Sequence, residues 1–323
     1  MTHLLEVQQL TVAFPGLTAD VVPVDGVGFH LDAGEMLALV GESGCGKSLT
    51  ALALLQLLPK AARVDPGGIA EFEGRNLLAL GETELRSIRG ARISMVFQDP
   101  TSSLNPVYTA GSQITEAIRA HETVTAVEAR DRALELLEEV SIPDPRARFD
   151  QYPHELSGGM QQRVMIAIAL ACEPSILIAD EPTTALDVTV QAQILEIIDR
   201  LRETHRMAVL LITHDLGIVA GRADRVAVMY AGRIVETATT DALFEHPSHP
   251  YTQALLASVP RLTGPIQRLS PIRGSVPSPD AWPTGCRFHP RCPYAFDRCA
   301  VETPAERAVA PGHAVACWLE DTP

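Results

Sequence analysis

Residues 41–48 read Gly-Glu-Ser-Gly-Cys-Gly-Lys-Ser, set between the apolar run 36–40 and a helix-forming run from Leu49 to Leu58. Every residue type in this octet has a use in holding phosphate. Gly41, Gly44 and Gly46 let the backbone curl until its N–H groups point inward at phosphate oxygens, Lys47 reaches the β and γ phosphates, and the Ser48 hydroxyl takes a place on Mg²⁺. A helix that follows adds the positive end of its dipole. A glycine-rich strand-to-helix turn without a ligand is the plain alternative; the order strand, loop, helix is the context that favours phosphate.

Two other segments carry chemistry of the same kind. Ile176-Leu-Ile-Ala-Asp-Glu181 places Asp180 and Glu181 at the end of an apolar strand, where charge is costly unless it serves a cation or a reacting water. With a phosphate loop upstream, Asp180 is expected to hold Mg²⁺ through water and Glu181 to polarise the attacking water. Leu156-Ser-Gly-Gly-Met-Gln-Gln-Arg163 opens an apolar helix over 164–171. Ser157 stands where an N-cap belongs, and Gly158 and Gly159 leave backbone N–H groups bare, so this helix start is a second anion site. One phosphate loop and a second phosphate cradle in one chain suggest two cassettes that face each other and share nucleotides.

The elements that must position these residues fall into three blocks. Up to about Ser94, short β-branched or apolar segments at 6–14, 24–31, 36–40 and 69–71 are separated by turns such as Ala33-Gly34-Glu35 and Pro66-Gly67-Gly68, which reads as a strand-rich layer on an α/β core. From about Thr101 to Cys172 the pattern is helical, with Val127, Leu134, Leu137 and Val140 as the apolar face of a helix over 125–140. Strand-like runs return at 176–179 and 208–212 around a helix over 188–202, as a parallel β-α-β unit requires. The core is expected to close near Glu236, leaving a Pro-rich tail. The division expected is therefore an ATP-binding core in 1–94 and 173–240, a helical subdomain in 95–172 and an extension in 241–323.

Bulk properties agree with a folded enzyme. The 323 residues are 46% hydrophobic and 20% charged, a globular balance. With 40 acidic against 26 basic residues and a net charge of −14, nucleic acid is not an expected partner. No apolar stretch has the length to cross a bilayer, and Met-Thr-His-Leu-Leu-Glu at the start has no basic or apolar signal region, so a cytosolic protein with reduced or metal-bound cysteines is expected.

Taken in order, these motifs resemble those of the ATP-binding subunits of ABC transporters, and the resemblance covers almost all of residues 4–240. Gly41 to Ser48 matches the Walker A loop, Gln98 in Val-Phe-Gln-Asp-Pro100 the Q-loop, and Leu156 to Gln161 the signature, with Met160 where many members have Gln. Ile176 to Glu181 matches the Walker B strand, Ala185-Leu-Asp187 the D-loop, and His214 in Ile-Thr-His-Asp215 the switch histidine. The resemblance implies an ABC-type nucleotide-binding domain: a RecA-like P-loop core with an antiparallel β layer and a helical insertion. It also implies ATP held by Ser43, Cys45 and Leu49 besides the loop residues named above, with Phe14 on the adenine. Mg²⁺ would be held by Ser48, Gln98 and Asp180, and catalysis would be carried by Glu181, His214 and Gln98. Ser157, Gly158, Gly159 and Met160 would act on the ATP of a second subunit. Cys45 and Cys172 read as structural, the first lending backbone to the loop and the second ending an apolar helix.

Three stretches narrow the resemblance to the bacterial dipeptide and oligopeptide importers, a subclass that also contains nickel and glutathione importers: 98–106 after the Q-loop, 180–190, and His-Pro-Ser-His-Pro-Tyr-Thr-Gln-Ala-Leu-Leu256. The last is expected to form a tail helix packing Tyr251, Leu255 and Leu256 on the nucleotide domain. The partners implied are a second ATPase subunit that can be a distinct homologue, two membrane-spanning permease subunits and an extracytoplasmic solute-binding protein. The location implied is the cytoplasmic face of the membrane. The rival from another class is a soluble ABC ATPase acting on DNA or ribosomes; a single cassette, no sustained heptads and an acidic balance argue against it.

Cys286, Cys292, Cys299 and Cys317 have the spacing C-x5-C-x6-C-x17-C. Four thiolates suit Zn²⁺ or an iron–sulfur cluster, but with no C-x2-C pair the spacing fits neither a zinc ribbon nor a ferredoxin, and free or buried thiols remain an alternative. His289 and His313 stand near as alternative ligands. Some peptide-importer ATPases carry a C-terminal four-cysteine segment that holds a [4Fe–4S] cluster, and the resemblance implies one here.

Overall fold

In Leu5–Phe14, buried Leu5, Val7, Leu10 and Val12 do not keep a strict two-residue beat, because Gln9 sits at φ 51 and the pairing with Val21–Leu31 shifts between Val7 and Leu10. That bulge lets both halves of the strand face the same core. The structure, a computed structural model, describes residues 3–17, 19–184, 186–258 and 272–319. The chain divides into two compact units, one of residues 1–32, 36–79 and 212–323, the other of residues 33–35 and 80–211.

The first unit holds two sheets. One is antiparallel, with neighbours in the order Val21–Leu31, Leu5–Phe14, Ile69–Phe72 and Arg75–Asn76, and with Arg63–Val64 also paired to Leu5–Phe14. In the other, the fully buried strand Met36–Val40 runs parallel to Arg225–Tyr230, which pairs antiparallel with Arg233–Thr239. The tail adds to that sheet: His313–Val315 pairs with Arg233–Thr239, and Arg307–Ala310 with His313–Val315. The sheet that contains Glu236 is thus extended by two strands of the tail. The Glu236 carboxylate is itself buried, takes the N–H groups of Ser248 and His249 at 2.6 and 2.9 Å, and meets His313 Nε2 at 2.7 Å. His313 is therefore engaged away from the cysteines.

In the second unit Ile93–Val96 pairs parallel with Ile176–Asp180, and Ala208–Thr213 is the next neighbour. The helix expected over 125–140 is Ala126–Glu139, bounded by a capping box in which the Thr125 N–H donates to the Glu128 carboxylate at 2.8 Å. Its buried face matches the expected one in part. Leu137 and Val140 are buried as expected and Leu134 is half-buried, but Val127 is 69% exposed, and Ala129, Ala133 and Leu136 go inside.

Candidate functional site

The nucleotide loop leaves Met36–Val40 and enters a helix that spans Lys47–Leu54, starting two residues and ending four residues earlier than the run suggested. Lys47 and Ser48 are therefore its first residues, at the positive end of the dipole. The glycines are dictated by space. A Cβ on Gly41 would lie 2.1 Å from the Met229 carbonyl oxygen, and Gly46, at φ 108, would press one against the Pro23 carbonyl at 2.7 Å. Lys47 is 4% exposed, and its ammonium donates to the carbonyls of Gly41 and Glu42 at 2.7 and 3.1 Å. Cys45 is buried, and burial pushes its thiol pKa up although Lys47 lies 3.8 Å from the sulfur. That is the inert structural cysteine expected from the sequence. His214 follows the strand Ala208–Thr213 and is exposed, and Phe14 is half-buried where its strand ends, paired with Val21.

The tail is built onto this loop. The helix Pro250–Ser258 buries Tyr251 and Leu255 as expected, with Leu256 half-buried, and the Tyr251 hydroxyl accepts the N–H of Glu42 at 2.9 Å. Arg291 forms a two-pronged ion pair with the Glu42 carboxylate at 2.7 and 3.0 Å. Arg287 donates to Asp25 and to the Ala231 carbonyl and lies 4.8 Å over the Trp282 ring, whose Nε1–H donates to the Val22 carbonyl at 2.9 Å. Nothing in the sequence marked Arg287 or Arg291.

Cys286, Cys292, Cys299 and Cys317 line a single cavity with His249, His289, Phe288 and Trp318; its free space, open mouth included, is about 300 Å³. The Cys286 N–H donates to the Cys299 carbonyl at 2.8 Å, which fixes two of the loops together. Burial, with the charges of Cys317, Cys299 and Cys292 adding to it, pushes the Cys286 thiol up to about 11. Cys292 and Cys317 are raised by burial first and by neighbouring sulfurs second. His249 is wholly buried and neutral, its pKa pulled down to about 3. Its Nδ1 accepts the Tyr251 N–H at 3.0 Å, and its Nε2 is buried without a protein partner among the described residues.

The second unit holds the acidic strand end and the serine-glycine helix start. Asp180 closes Ile176–Asp180 and is 5% exposed. Glu181 follows at φ 45, in the left-handed backbone region that few side-chain-bearing residues adopt. One oxygen of its carboxylate accepts from the Gln98 amide at 3.0 Å and from the Thr184 hydroxyl at 2.9 Å. The sequence named Gln98 and Glu181 and missed Thr184, which a short turn from the Glu181 carbonyl to the Thr184 N–H, 3.2 Å, brings round. Ser157 is the N-cap of Gly158–Leu170, its hydroxyl accepting the Met160 N–H at 3.4 Å, and a Cβ on Gly159 would meet Val190 at 2.7 Å. Asp187 caps Val188–His205 through the N–H groups of Thr189 and Val190, both 3.0 Å; Ala185 lies outside the described residues. Cys172 has its sulfur 3.8 Å from the Ala117 carbonyl, a packing role.

A glycine loop leading from strand to helix with its lysine folded over it, together with a strand ending in Asp-Glu, defines a P-loop nucleotide hydrolase. The family described as ABC transporter matches residues 24–184, and the one described as oligopeptide/dipeptide transporter, C-terminal region, matches residues 235–299. The oligopeptide transport ATP-binding protein AppD of Bacillus subtilis is 50% identical over 319 residues, covering 99% of this chain and 97% of its own. The dipeptide transport ATP-binding protein DppD of Escherichia coli is 49% identical over 314 residues, 97% of this chain and 96% of its own. Among solved structures, the dimeric ATP-binding cassette MJ0796 in a post-hydrolysis state with ADP and Pi superposes with a TM-score of 0.65 at 28% identity, covering 73% of this chain and 98% of that one. The chain belongs to the ABC transporter family of ATP-binding subunits, is an ABC-type ATPase, and has the nucleotide-binding fold that its motifs imply.

Proposed function

We propose that this ATPase powers bacterial import of dipeptides and oligopeptides. The observation that carries the reading is the match of residues 235–299 to the peptide-transporter C-terminal region, on a chain about half identical end to end to AppD and DppD. Nothing favours a nickel or glutathione importer, or an ATPase acting on DNA or ribosomes. Among the described residues no helix is long and apolar enough to cross a membrane. By likeness to the importer ATPases, permease subunits would carry the solute and hold this chain at the cytoplasmic face. A second ATPase subunit and an extracytoplasmic solute-binding protein would complete the assembly. The working division is 1–94 with 173–240 for the ATP-binding core, 95–172 for the helical subdomain and 241–323 for the extension.

Within that reading each residue has a task. The N–H groups of Gly41, Ser43, Gly44, Cys45 and Gly46 and the start of the helix at Lys47, Ser48 and Leu49 bind the phosphates, and Phe14 stacks on the base. Ser48, Gln98 and Asp180 offer the oxygen donors that Mg²⁺ prefers, and the ion when bound neutralises phosphate charge. Glu181 orients and polarises the attacking water while His214 meets the γ-phosphate. Ser157, Gly158, Gly159 and Met160 cap the ATP of the partner ATPase, and closure of the pair is passed to the permeases through the Gln98 segment. ATP-driven peptide uptake in proteoliposomes with the permease partners tests the reading; uptake of another solute with no peptide uptake would overturn its substrate.

The four tail cysteines are assigned to a [4Fe–4S] cluster, and the donor set fits. They line one cavity together with the unpartnered Nε2 of His249. Zn²⁺ is the alternative ion for the same four thiolates. When bound, a cluster supplies four iron–thiolate cross-links to a tail with little apolar core of its own. Iron and sulfide analysis of anaerobically purified chain tests this: about four of each, lost in Cys286→Ser, is expected, and zinc alone would contradict it.

A further inference from the structure

Glu42, the second residue of the nucleotide loop, is gripped by the tail at both its backbone and its side chain. Its N–H donates to the Tyr251 hydroxyl and its carboxylate takes two nitrogens of Arg291. Its carbonyl accepts from the Lys47 ammonium at 3.1 Å, so the residue that meets the tail also meets the phosphate-reading lysine. The Arg291 side chain is only 5% exposed against 29% for Glu42. Arg291 Nε donates to the Arg273 carbonyl at 2.8 Å, and the guanidinium lies 5.7 and 5.9 Å over the rings of Tyr230 and Phe288. A planar fork held on that many sides has one orientation, which a lysine could not reproduce. Arg291 also stands one residue before Cys292, with its N–H on the Phe288 carbonyl at 2.9 Å, so the order of the cysteine-bearing turn is the order of this guanidinium.

A triphosphate brings several negative charges to a loop that already carries a carboxylate. Left alone, the Glu42 side chain would repel the ligand and swing away from its place, pulling the Glu42 carbonyl off Lys47. We propose that Arg291, with Tyr251, is a positioning residue for ATP: it neutralises Glu42 and fixes the loop in its phosphate-taking shape, so that the cysteine-bearing tail sets the affinity of the loop for ATP. The proposal rests on the assignment of residues 41–48 as the ATP site.

The test is calorimetric titration of the full chain with Mg-ATP for the wild type, Arg291→Ala, Glu42→Gln and the double variant, at low and high salt. Arg291→Ala is expected to bind ATP about tenfold more weakly at low salt, the size of one unscreened charge near the site. The deficit should shrink at high salt, because repulsion is screened and lost packing is not. Adding Glu42→Gln should bring affinity back to within about threefold of wild type, since the repelling charge is gone. Glu42→Gln alone should bind at least as tightly as wild type. If Arg291→Ala fails to fold, Arg291→Lys keeps the charge without the fork and should lose about threefold. Unchanged ATP affinity in these Arg291 variants overturns the proposal, as does a deficit that neither salt nor Glu42→Gln relieves. Undiminished ATP affinity in Lys47→Ala would instead remove the loop as the ATP site, a failure of the underlying assignment rather than of Arg291.

Discussion

Around Lys47 the restraints are buried: glycines wedged against the Met229 and Pro23 carbonyls, a 4%-exposed ammonium on loop carbonyls, a fully buried Tyr251 and a nearly buried Arg291. Around Glu181 they include side-chain hydrogen bonds from the exposed Gln98 and the half-buried Thr184, on a backbone held at φ 45. The contrast separates two jobs. A loop that must recognise the same phosphates every cycle is fixed by packing, which has one solution. The carboxylate proposed to act on water is held in part by side-chain contacts worth about 1 kcal/mol each.

Variants can break or sharpen this contrast. Lys47→Ala should have the largest effect on binding, about a hundredfold weaker ATP affinity by calorimetry, because it removes the ammonium proposed to meet the β and γ phosphates. Gln98→Ala should cut turnover about tenfold with ATP affinity nearly kept, since it removes one hydrogen bond that places Glu181 and a proposed Mg²⁺ donor. Thr184→Val should cut turnover about threefold, with the same split between turnover and binding. Ser157→Ala should cost about 1 kcal/mol in denaturant unfolding through the lost cap. Cys45 should resist alkylation at neutral pH in the folded chain: burial raises its thiol pKa, so little thiolate exists below that value and reactivity appears only on unfolding. Rapid labelling of Cys45 in the folded chain would contradict the packed loop.

How far the sequence could be read follows the same line. Gly41 to Ser48, Asp180 and Glu181 were legible because phosphate and Mg²⁺ admit few residue types, and the 125–140 helix because Thr125 and Glu128 write its start into adjacent positions. The four cysteines were legible as a set, but their gathering around one cavity with His249 was not, because the loops between them carry no periodic pattern. Val127 was placed on the wrong face because Ala129 and Ala133 take inner positions beside Leu136 and Leu137. Thr184 acts through a turn next to Glu181, and Arg291 reaches a residue 249 positions away; no local spacing announces either.

The central claim is that binding and hydrolysis are carried by different residues, the loop for the first and Glu181 for the second. Measuring ATP affinity and steady-state turnover side by side on wild type and Glu181→Gln tests it most directly. The account predicts affinity within about threefold of wild type and turnover reduced at least a hundredfold. Turnover near the wild-type rate, or affinity that falls in step with turnover, would contradict it.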